Sequence, residues 1–147
     1  MTRRGRFADF WFRALSRTHA TLLKLSRWRL GAGYSGMPVV EVRTIGRRSG
    51  RPRLVVLSAP VIDGDRVVLV ASKGGDDRDP DWYRNLVANP DVELTMRGRT
   101  RAMIARTADP HERSELWPRI VAATRAYAGY QRRTRREIPV IICEPRD

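Results

Sequence analysis

The stretch that decides the fold is residues 46–53, which read Gly46-Arg47-Arg48-Ser49-Gly50-Arg51-Pro52-Arg53. It lies between two apolar runs rich in β-branched residues, 39–44 and 54–62. Two such runs joined by a glycine-rich segment predict a β-hairpin. Four arginines in one tight loop repel each other unless an anion binds there. Because the planar guanidinium suits phosphate and carboxylate oxygens, the loop indicates an anionic small-molecule ligand.

The net charge of the whole chain also indicates an anionic partner, but a general excess of arginine makes the arginines of residues 46–53 less specific evidence for a ligand. The 147 residues include 29 basic and 16 acidic side chains, for a net charge of +13. This surplus predicts attraction to nucleic acid, anionic lipid or a multiply charged cofactor. Only Lys24 and Lys73 are lysines, so a solvated loop in an arginine-rich protein also explains residues 46–53. The same bias makes Lys73, which lies beside glycines, stand out.

Length and composition limit the architecture. The length suits one domain with one core, and 41% hydrophobic residues are enough to build it. No apolar run approaches the roughly 20 residues that cross a bilayer, and no secretory signal is recognisable. The single cysteine, Cys143, lies in an apolar run and is expected to be a buried small hydrophobe. We therefore expect a cytoplasmic protein.

The chain divides at about residue 36. Apolar residues recur at spacings of three and four from Phe7 to Leu25, which predicts an amphipathic helix, and glycines then form a linker, so we assign 1–36 to helix and linker. The apolar face of this helix must be buried against the rest of the protein at the open end of the fold, against a partner subunit or against a bilayer surface. Two interpretations remain open: a lid over the site, or a peripheral contact at the inner face of the cell membrane. Residues 37–147 form the expected cofactor-binding domain.

This second part has the pattern of a small antiparallel β-barrel with flanking helices. Strands are predicted near 39–45, 53–62, 66–72, 91–97, 99–107 and 138–143, with hairpin turns at Gly64 and Gly98. Asp79 is expected to cap a first helix and Pro80 to open it. A second helix should begin with a capping box of Asp109 and Glu112, and Pro118 should kink or break it before the tyrosine segment.

Three further groups of residues could carry chemistry. The turn Ala71-Ser72-Lys73-Gly74-Gly75 combines small residues, a hydroxyl and an ammonium, and its amides could form an anion-binding nest. An ordinary turn after a strand explains it equally. Trp82 and Asn85 share a helix face. Thr124, Tyr127 and Tyr130 are spaced by three, so two phenols lie on one side of a helix, where they line a pocket or pack on the barrel.

Several chemistries are disfavoured by what the sequence lacks. His19 and His111 are far apart, so no metal cluster is expected, and there is no GxSxG, CxxC, HExxH or dinucleotide-binding GxGxxG motif. Loops suited to anion binding, together with the lack of obvious acid–base residues, indicate a protein that binds a cofactor and leaves the chemistry to it.

Three motifs together resemble the deazaflavin-dependent nitroreductase family of actinobacteria. They are residues 44–53, residues 71–75 and the run Asp81 to Pro90, supported by the tail from Leu116 to Val140. The resemblance implies a split β-barrel related to flavin-mononucleotide-binding barrels. It also implies reduced coenzyme F420, a deazaflavin with a phosphate and a polyglutamate tail, as cofactor.

The resemblance also implies residue roles. Arg47, Arg48 and Arg53 would hold the phosphate and tail, while Trp82 and Asn85 would close the cofactor channel. Ala71, Ser72, Lys73 and Gly74 would contact the ring and its linker. Thr124, Tyr127 and Tyr130 would line the substrate side, with Tyr127 or Ser72 as the catalytic hydroxyl. Some members that activate nitro drugs have tyrosine where this chain has Thr124, so drug activation is not carried over.

The leading functional hypothesis is therefore an F420H2-dependent oxidoreductase that passes hydride to an apolar electrophile: a quinone, an enone or a nitroaromatic. A basic nucleic-acid-binding barrel is an alternative, but it predicts aromatic side chains along exposed strands, and the aromatics here lie in predicted helices. A module that binds the cofactor without turnover is a further alternative. A homodimer is left open.

Overall fold

The computed structural model describes residues 33–34 and 36–147. The strands are β1 (Gly33–Tyr34), β2 (Met37–Ile45), β3 (Pro52–Ser58), β4 (Val61–Asp63), β5 (Arg66–Val70), β6 (Asp91–Met96), β7 (Arg99–Thr107) and β8 (Val140–Pro145). The helices are α1 (Asp81–Ala88), α2 (Pro110–Ala123) and α3 (Ala126–Arg133), and Lys73–Gly75 form a 3-10 turn. The expected amphipathic helix before residue 33 lies outside the described residues.

The strands form one antiparallel sheet that curls into a half-barrel. Its order is β1-β2-β6-β7-β8-β5-β4, and β3 pairs with the other edge of β2. Val42 of β2 and Leu69 of β5 belong to one buried cluster although three strands separate them in the sheet. Only a curled sheet brings such strands together, and Leu86 of α1 packs into the same cluster. The expected mainly-β split barrel is confirmed.

A second apolar cluster lies on the other face of β5 and β8. Val68 and Val70 of β5 alternate with the residues that face the barrel interior, as the two-residue period of a strand requires. They pack with Leu116 and Ile120 of α2 and with Tyr127 of α3. The strand pair is thus covered on both faces, which explains why 66–70 is a nearly continuous apolar run.

The predicted hairpin turns are confirmed, but one predicted strand is wrong. Gly64 has φ +59°, and Arg97 and Gly98 have φ +50° and +78°, the left-handed backbone that a two-residue hairpin turn requires. The expected strand 53–62 is two strands, because β3 ends at Ser58 and β4 begins at Val61. Pro60 has no N–H to donate to a ladder, so the chain bends there.

The two predicted helices have one confirmed cap and one wrong cap, and the one that contains an internal proline is not interrupted by it. Asp109 and Glu112 form the expected capping box of α2. The cap of α1 is Pro80 rather than Asp79, whose carboxylate instead accepts a hydrogen bond from Arg136. Pro118 does not break α2, which continues to Ala123. Pro118 lies on the exposed side, where water can satisfy the carbonyl oxygen that its missing N–H leaves free.

The pairing register places both candidate loops at the same end of the half-barrel. Arg43, near the end of β2, pairs with Glu93, near the start of β6. Following the antiparallel ladders onward, the start of β6 adjoins the end of β7, which adjoins the start of β8, which adjoins the end of β5. The loop after β2 and the turn after β5 therefore open at one end, and the turn Arg97-Gly98 lies at the other.

The close approach of Gly75 to α3 generates a stability prediction. A Cβ at Gly75 would lie 2.7 Å from the carbonyl oxygen of Tyr130 and 2.9 Å from Cβ of Arg133, and its φ is +86°. Gly64 shares the positive φ, but a Cβ added there would meet no atom within 4 Å. We expect Gly64→Ala to cost about 1–2 kcal/mol from backbone conformation. Gly75→Ala should cost about 1–3 kcal/mol more from overpacking.

Urea denaturation of the two variants and the unaltered chain measures the difference. Equal destabilisation by Gly64→Ala and Gly75→Ala would contradict the close packing of the Lys73–Gly75 turn on α3.

Candidate functional site

The arginine-rich loop is a hairpin connection closed by backbone hydrogen bonds. The amide of Gly46 donates to the carbonyl of Arg51, and the amide of Gly50 donates to the carbonyl of Gly46. Within the described part of the chain, the side chains of Arg48 and Arg51 form no ion pair or hydrogen bond, and Arg53 donates only to Oγ of Ser49. These guanidinium groups are therefore available to a ligand.

Arg47 differs from the other arginines of this loop because it binds to α1. Its backbone amide and its Nη1 both donate to Oδ1 of Asn85, at 3.2 and 2.9 Å, and its Nη2 lies 3.3 Å from the Asp81 carboxylate. Asn85 is only 5% exposed, so its amide has the partner that a buried polar group needs. Arg47 and Asn85, both expected to contact the cofactor, are brought together and fasten the loop to the helix.

The turn after β5 has an unusual backbone. Lys73, Gly74 and Gly75 all have positive φ, at 47°, 63° and 86°. A lysine in this region is disfavoured by about 1–2 kcal/mol, so the surrounding structure must hold it there. The amide of Gly75 donates to the carbonyl of Ser72, and the amide of Asp76 donates to that of Lys73. The turn is an ordered, strained feature next to the barrel interior.

The residue that holds this turn is Arg136, which no sequence pattern singled out. Its Nε donates to the carbonyl of Asp76, its Nη1 to the carboxylate of Asp79, and its Nη2 to the carbonyls of Ala71 and Ser72, all between 2.8 and 3.2 Å. The side chain is 16% exposed. Nothing local marks it among the chain's many arginines, because its partners precede it by 57 to 65 residues.

These two arginines place the two loops beside each other. Arg136 binds Asp79 and Arg47 binds Asp81, and only Pro80 separates the two acids. Consecutive Cα atoms are about 3.8 Å apart, so the Cα atoms of Asp79 and Asp81 lie within about 8 Å of each other. The loop after β2 and the turn after β5 are thus fixed to one short segment at the start of α1.

The turn presents hydrogen-bond donors beside a strongly basic surface. Among the described residues, the backbone N–H groups of Ser72 and Gly74 have no acceptor. Next to them, an open depression of about 550 Å³ is lined by Asp77 and by residues 132–136. Arg133 donates to the carbonyl of Gly74, whereas Arg132 and Arg135 form no ion pair within the described part of the chain. This end of the molecule suits an anionic ligand that also carries carbonyl oxygens.

The aromatic residues lie on two sides of the turn. Trp82 is partly buried against the barrel cluster. Tyr127 and Tyr130 meet edge to face, with ring centroids 6.0 Å apart, on the outer cluster of β5 and β8. Thr124 caps the end of α2 and precedes α3, so it is not on the same helix as the tyrosines. Burial, and then Tyr130, raise the pKa of Tyr127 to about 12, so its hydroxyl stays protonated at neutral pH.

Two properties of the described residues bound the chemistry. They contain no group of three or more His, Cys, Asp or Glu side chains arranged to hold a metal ion. No helix among them is both long and apolar enough to span a membrane.

The fold and the site define a small split-barrel protein with one strongly basic end. Residues 15–145 match the model of the F420H(2)-dependent quinone reductase family. An F420H(2)-dependent quinone reductase of Mycobacterium tuberculosis is 38% identical over 133 residues, which is 87% of this chain and 88% of that protein. The chain therefore belongs to the F420H(2)-dependent quinone reductase family, an F420H2-dependent branch of the expected deazaflavin enzymes.

Solved structures agree with this assignment. An F420-H2 dependent reductase superimposes with a TM-score of 0.67 at 40% identity, covering 73% of this chain and 94% of that one. A structure described as a domain-swapped dimer gives a TM-score of 0.68 at 35% identity, covering 88% and 100%. A heme storage protein from Vibrio cholerae, at 17% identity and a TM-score of 0.52, shares the fold alone.

Reduced coenzyme F420, the cofactor of this family, fits the residues present. A deazaflavin ring carries carbonyl oxygens, and the N–H groups of Ser72 and Gly74 have no protein acceptor among the described residues. Its phosphate and carboxylates are anions, and Arg48, Arg51 and Arg53 are free of competing acids within the described chain. The N–H donors therefore match the ring of the cofactor, and the arginine side chains match its anionic tail.

Asn85 provides a direct test of the link between loop and helix. Replacing Asn85 with alanine leaves the buried amide and the Nη1 of Arg47 without an acceptor, so we expect a loss of about 1–3 kcal/mol in the free energy of unfolding. Val87→Ala on the same helix changes a side chain that is 58% exposed and should stay within about 0.5 kcal/mol of the unaltered chain.

Chemical denaturation followed by circular dichroism measures both variants. If Asn85→Ala is as stable as Val87→Ala, the contact between the arginine loop and α1 does not contribute to holding this end together.

Proposed function

We propose that this protein transfers a hydride from reduced coenzyme F420 to a quinone, with the cofactor held between residues 46–53 and 71–75. The observation that carries the proposal is the fixing of both segments to Asp79-Pro80-Asp81 by Arg136 and Arg47. A ring-binding turn and an anion-binding loop at one end of the barrel match a cofactor with a flat ring and a charged tail.

In this proposal the protein mainly binds, orients and excludes water. Arg48 and Arg53 hold the anionic tail, and Lys73 adds positive charge beside the ring. The N–H groups of Ser72 and Gly74 donate to ring oxygens, while Trp82 and Asn85 close the channel from α1. When bound, reduced coenzyme F420 supplies the hydride. Holding donor and acceptor in contact lowers the barrier by removing the need for a productive encounter in solution.

The acceptor takes up one proton along with the hydride, and two hydroxyls are candidates to supply it. Ser72 lies in the ring-binding turn and is partly exposed. Tyr127 is 8% exposed and remains protonated because its pKa is raised to about 12. Tyr127 is suited to hydrogen bonding an acceptor oxygen, whereas Ser72 is better placed to exchange its proton with solvent. Thr124 and Tyr130 complete the proposed acceptor side.

A quinone is preferred over an enone or a nitroaromatic because the relatives that match most of this chain are named as quinone reductases. Thr124 is smaller than tyrosine and leaves room for a planar apolar ring. Binding of nucleic acid is not supported, since strands β2 to β8 carry no aromatic side chain that could stack on bases.

Two further features belong to the proposal. A homodimer is supported by the similar structure described as a domain-swapped dimer. The predicted helix before residue 33 would serve as a lid over the site, or as a peripheral membrane contact through which apolar quinones reach the site of a cytoplasmic enzyme. These two roles of the helix rest on the sequence pattern alone.

Replacing Arg48 and Arg53 with alanine tests the proposed tail site. Each lost charge-assisted contact should weaken F420H2 binding by roughly ten- to a hundredfold. Affinity of the unaltered chain should also fall as salt concentration rises. Fluorescence titration of the cofactor gives the dissociation constants, and oxidation of F420H2 in the presence of a soluble quinone gives turnover.

The matched control is Arg97→Ala with Arg99→Ala, which removes the same charge from the hairpin at the opposite end of the sheet. The control pair should bind the cofactor within a few-fold of the unaltered chain. Equal losses of F420H2 affinity in the two double variants would show that net charge, rather than the position of Arg48 and Arg53, determines binding. Cofactor binding without quinone reduction would favour the module that binds and does not turn over.

The proton donor is assigned by comparing Ser72→Ala with Tyr127→Phe. We expect Ser72→Ala to lower kcat by about a hundredfold, the lower end for general acid catalysis, with little change in cofactor affinity. Tyr127→Phe should lower it less, and because the neutral phenol persists up to about pH 12, it should not alter the pH profile between 6 and 10. A larger kcat loss in Tyr127→Phe would reverse the assignment.

A further inference from the structure

We propose that Arg136 is a positioning residue that orients the peptide unit between Ala71 and Ser72 so that the N–H group of Ser72 faces the cofactor. The inference rests on the proposed function for the identity of the ligand. The other part of the inference, that Arg136 controls the conformation of the turn, depends only on the structure of the chain. Arg136 forms no hydrogen bond or ion pair with residues 46–53, and it bonds to the proposed ring-binding turn only at the backbone carbonyls of Ala71 and Ser72. It therefore acts through the backbone.

The guanidinium is bonded at all three of its nitrogens. Nε binds the carbonyl of Asp76, Nη1 binds the carboxylate of Asp79, and Nη2 is shared between the carbonyls of Ala71 and Ser72. Three of these four acceptors are backbone oxygens of the segment that contains the turn. The side chain therefore fixes the direction of carbonyl groups rather than only adding charge.

Fixing a carbonyl also fixes the next amide. In a trans peptide the C=O and the following N–H point in opposite directions within one plane, and the described chain has no cis peptide bond. Because the oxygens of Ala71 and Ser72 face Arg136, the N–H groups of Ser72 and Lys73 face away from it. The Ser72 N–H is one of the two donors without an acceptor among the described residues. Arg136 thus fixes the direction of the Ser72 N–H group, which is a donor of the proposed ring site.

The arrangement requires arginine. A lysine ammonium carries three donors at one point, whereas the guanidinium spreads five N–H groups over a rigid plane. Four acceptors from Ala71, Ser72, Asp76 and Asp79 match the fork and exceed what one ammonium satisfies in fixed geometry. Neighbouring bonds support the turn elsewhere: Thr134 Oγ1 donates to Asp77, and Arg133 donates to Gly74. Neither reaches the carbonyls of Ala71 and Ser72.

The test compares Arg136→Gln, Arg136→Lys and the control Arg135→Gln in the full chain. Arg135 is the exposed neighbour and forms no ion pair within the described residues. The first readout, without cofactor, is amide hydrogen exchange at Gly75 and Asp76, whose N–H groups close the turn. The reference is the exchange of amides in the β5–β8 ladder, which report global unfolding.

We expect Arg136→Gln to accelerate exchange at Gly75 and Asp76 at least tenfold more than in the ladder. Arg136→Lys should give an intermediate acceleration, and Arg135→Gln none. Exchange that is unchanged, or accelerated equally in turn and ladder, would overturn the inference because Arg136 would then contribute only to overall stability.

The second readout is F420H2 affinity, measured by fluorescence titration at a temperature where every variant is folded. Arg136→Gln should weaken binding at least tenfold, with partial recovery in Arg136→Lys. Wild-type affinity in folded Arg136→Gln would overturn the orientation of donors toward the cofactor. If the unaltered chain itself does not bind F420H2, the proposed function fails, while the exchange comparison still decides whether Arg136 controls the turn.

Discussion

The functional end of this protein depends on one short segment, Asp79-Pro80-Asp81, and the two arginines that bind its acids. Arg136 follows α3 and Arg47 begins the loop after β2, so the two ion pairs join parts of the chain that lie far apart in sequence. Proline fixes its own φ and makes the segment stiff. Asp81 also lies in the first turn of α1, where a carboxylate is favoured by the helix dipole. The loop after β2 and the turn after β5 consequently share one rigid support.

The same interactions distinguish arginines that are bonded within the protein from arginines whose side chains have no partner among the described residues. Arg47 and Arg136 have side chains 23% and 16% exposed, and each donates to buried or fixed oxygens. Removing such a charge from water is offset only when its donors are satisfied. The contacts of Arg136 satisfy all three of its nitrogens, and those of Arg47 satisfy Nη1 and Nη2. Arg48 and Arg51, on the same loop as Arg47, have no side-chain partner among the described residues. Their mutual repulsion remains unbalanced until an anion arrives.

Local patterns predicted the fold well, and distant contacts account for what they missed. Alternating apolar residues and glycine turns identified most strands, and the capping box of Asp109 and Glu112 marked the start of α2. The role of Asp79 was wrong because its partner, Arg136, follows it by 57 residues and diverts it from capping. The sequence predicted which segments form the site, and that prediction concerned Arg47 and Asn85 separately; only the folded chain shows that Arg47 donates to Asn85. No spacing rule encodes that choice.

The backbone of the strained turn after β5 is costly before any ligand arrives. Lys73 adopts a left-handed conformation that costs about 1–2 kcal/mol, and Gly75 lies so close to α3 that a side chain is excluded. Hydrogen bonds from Arg136 and Arg133 to the carbonyls around it offset that cost within the protein itself. Under the proposed function, the N–H donors of the turn are therefore oriented before the cofactor binds, and little of its binding free energy would be spent on ordering the turn.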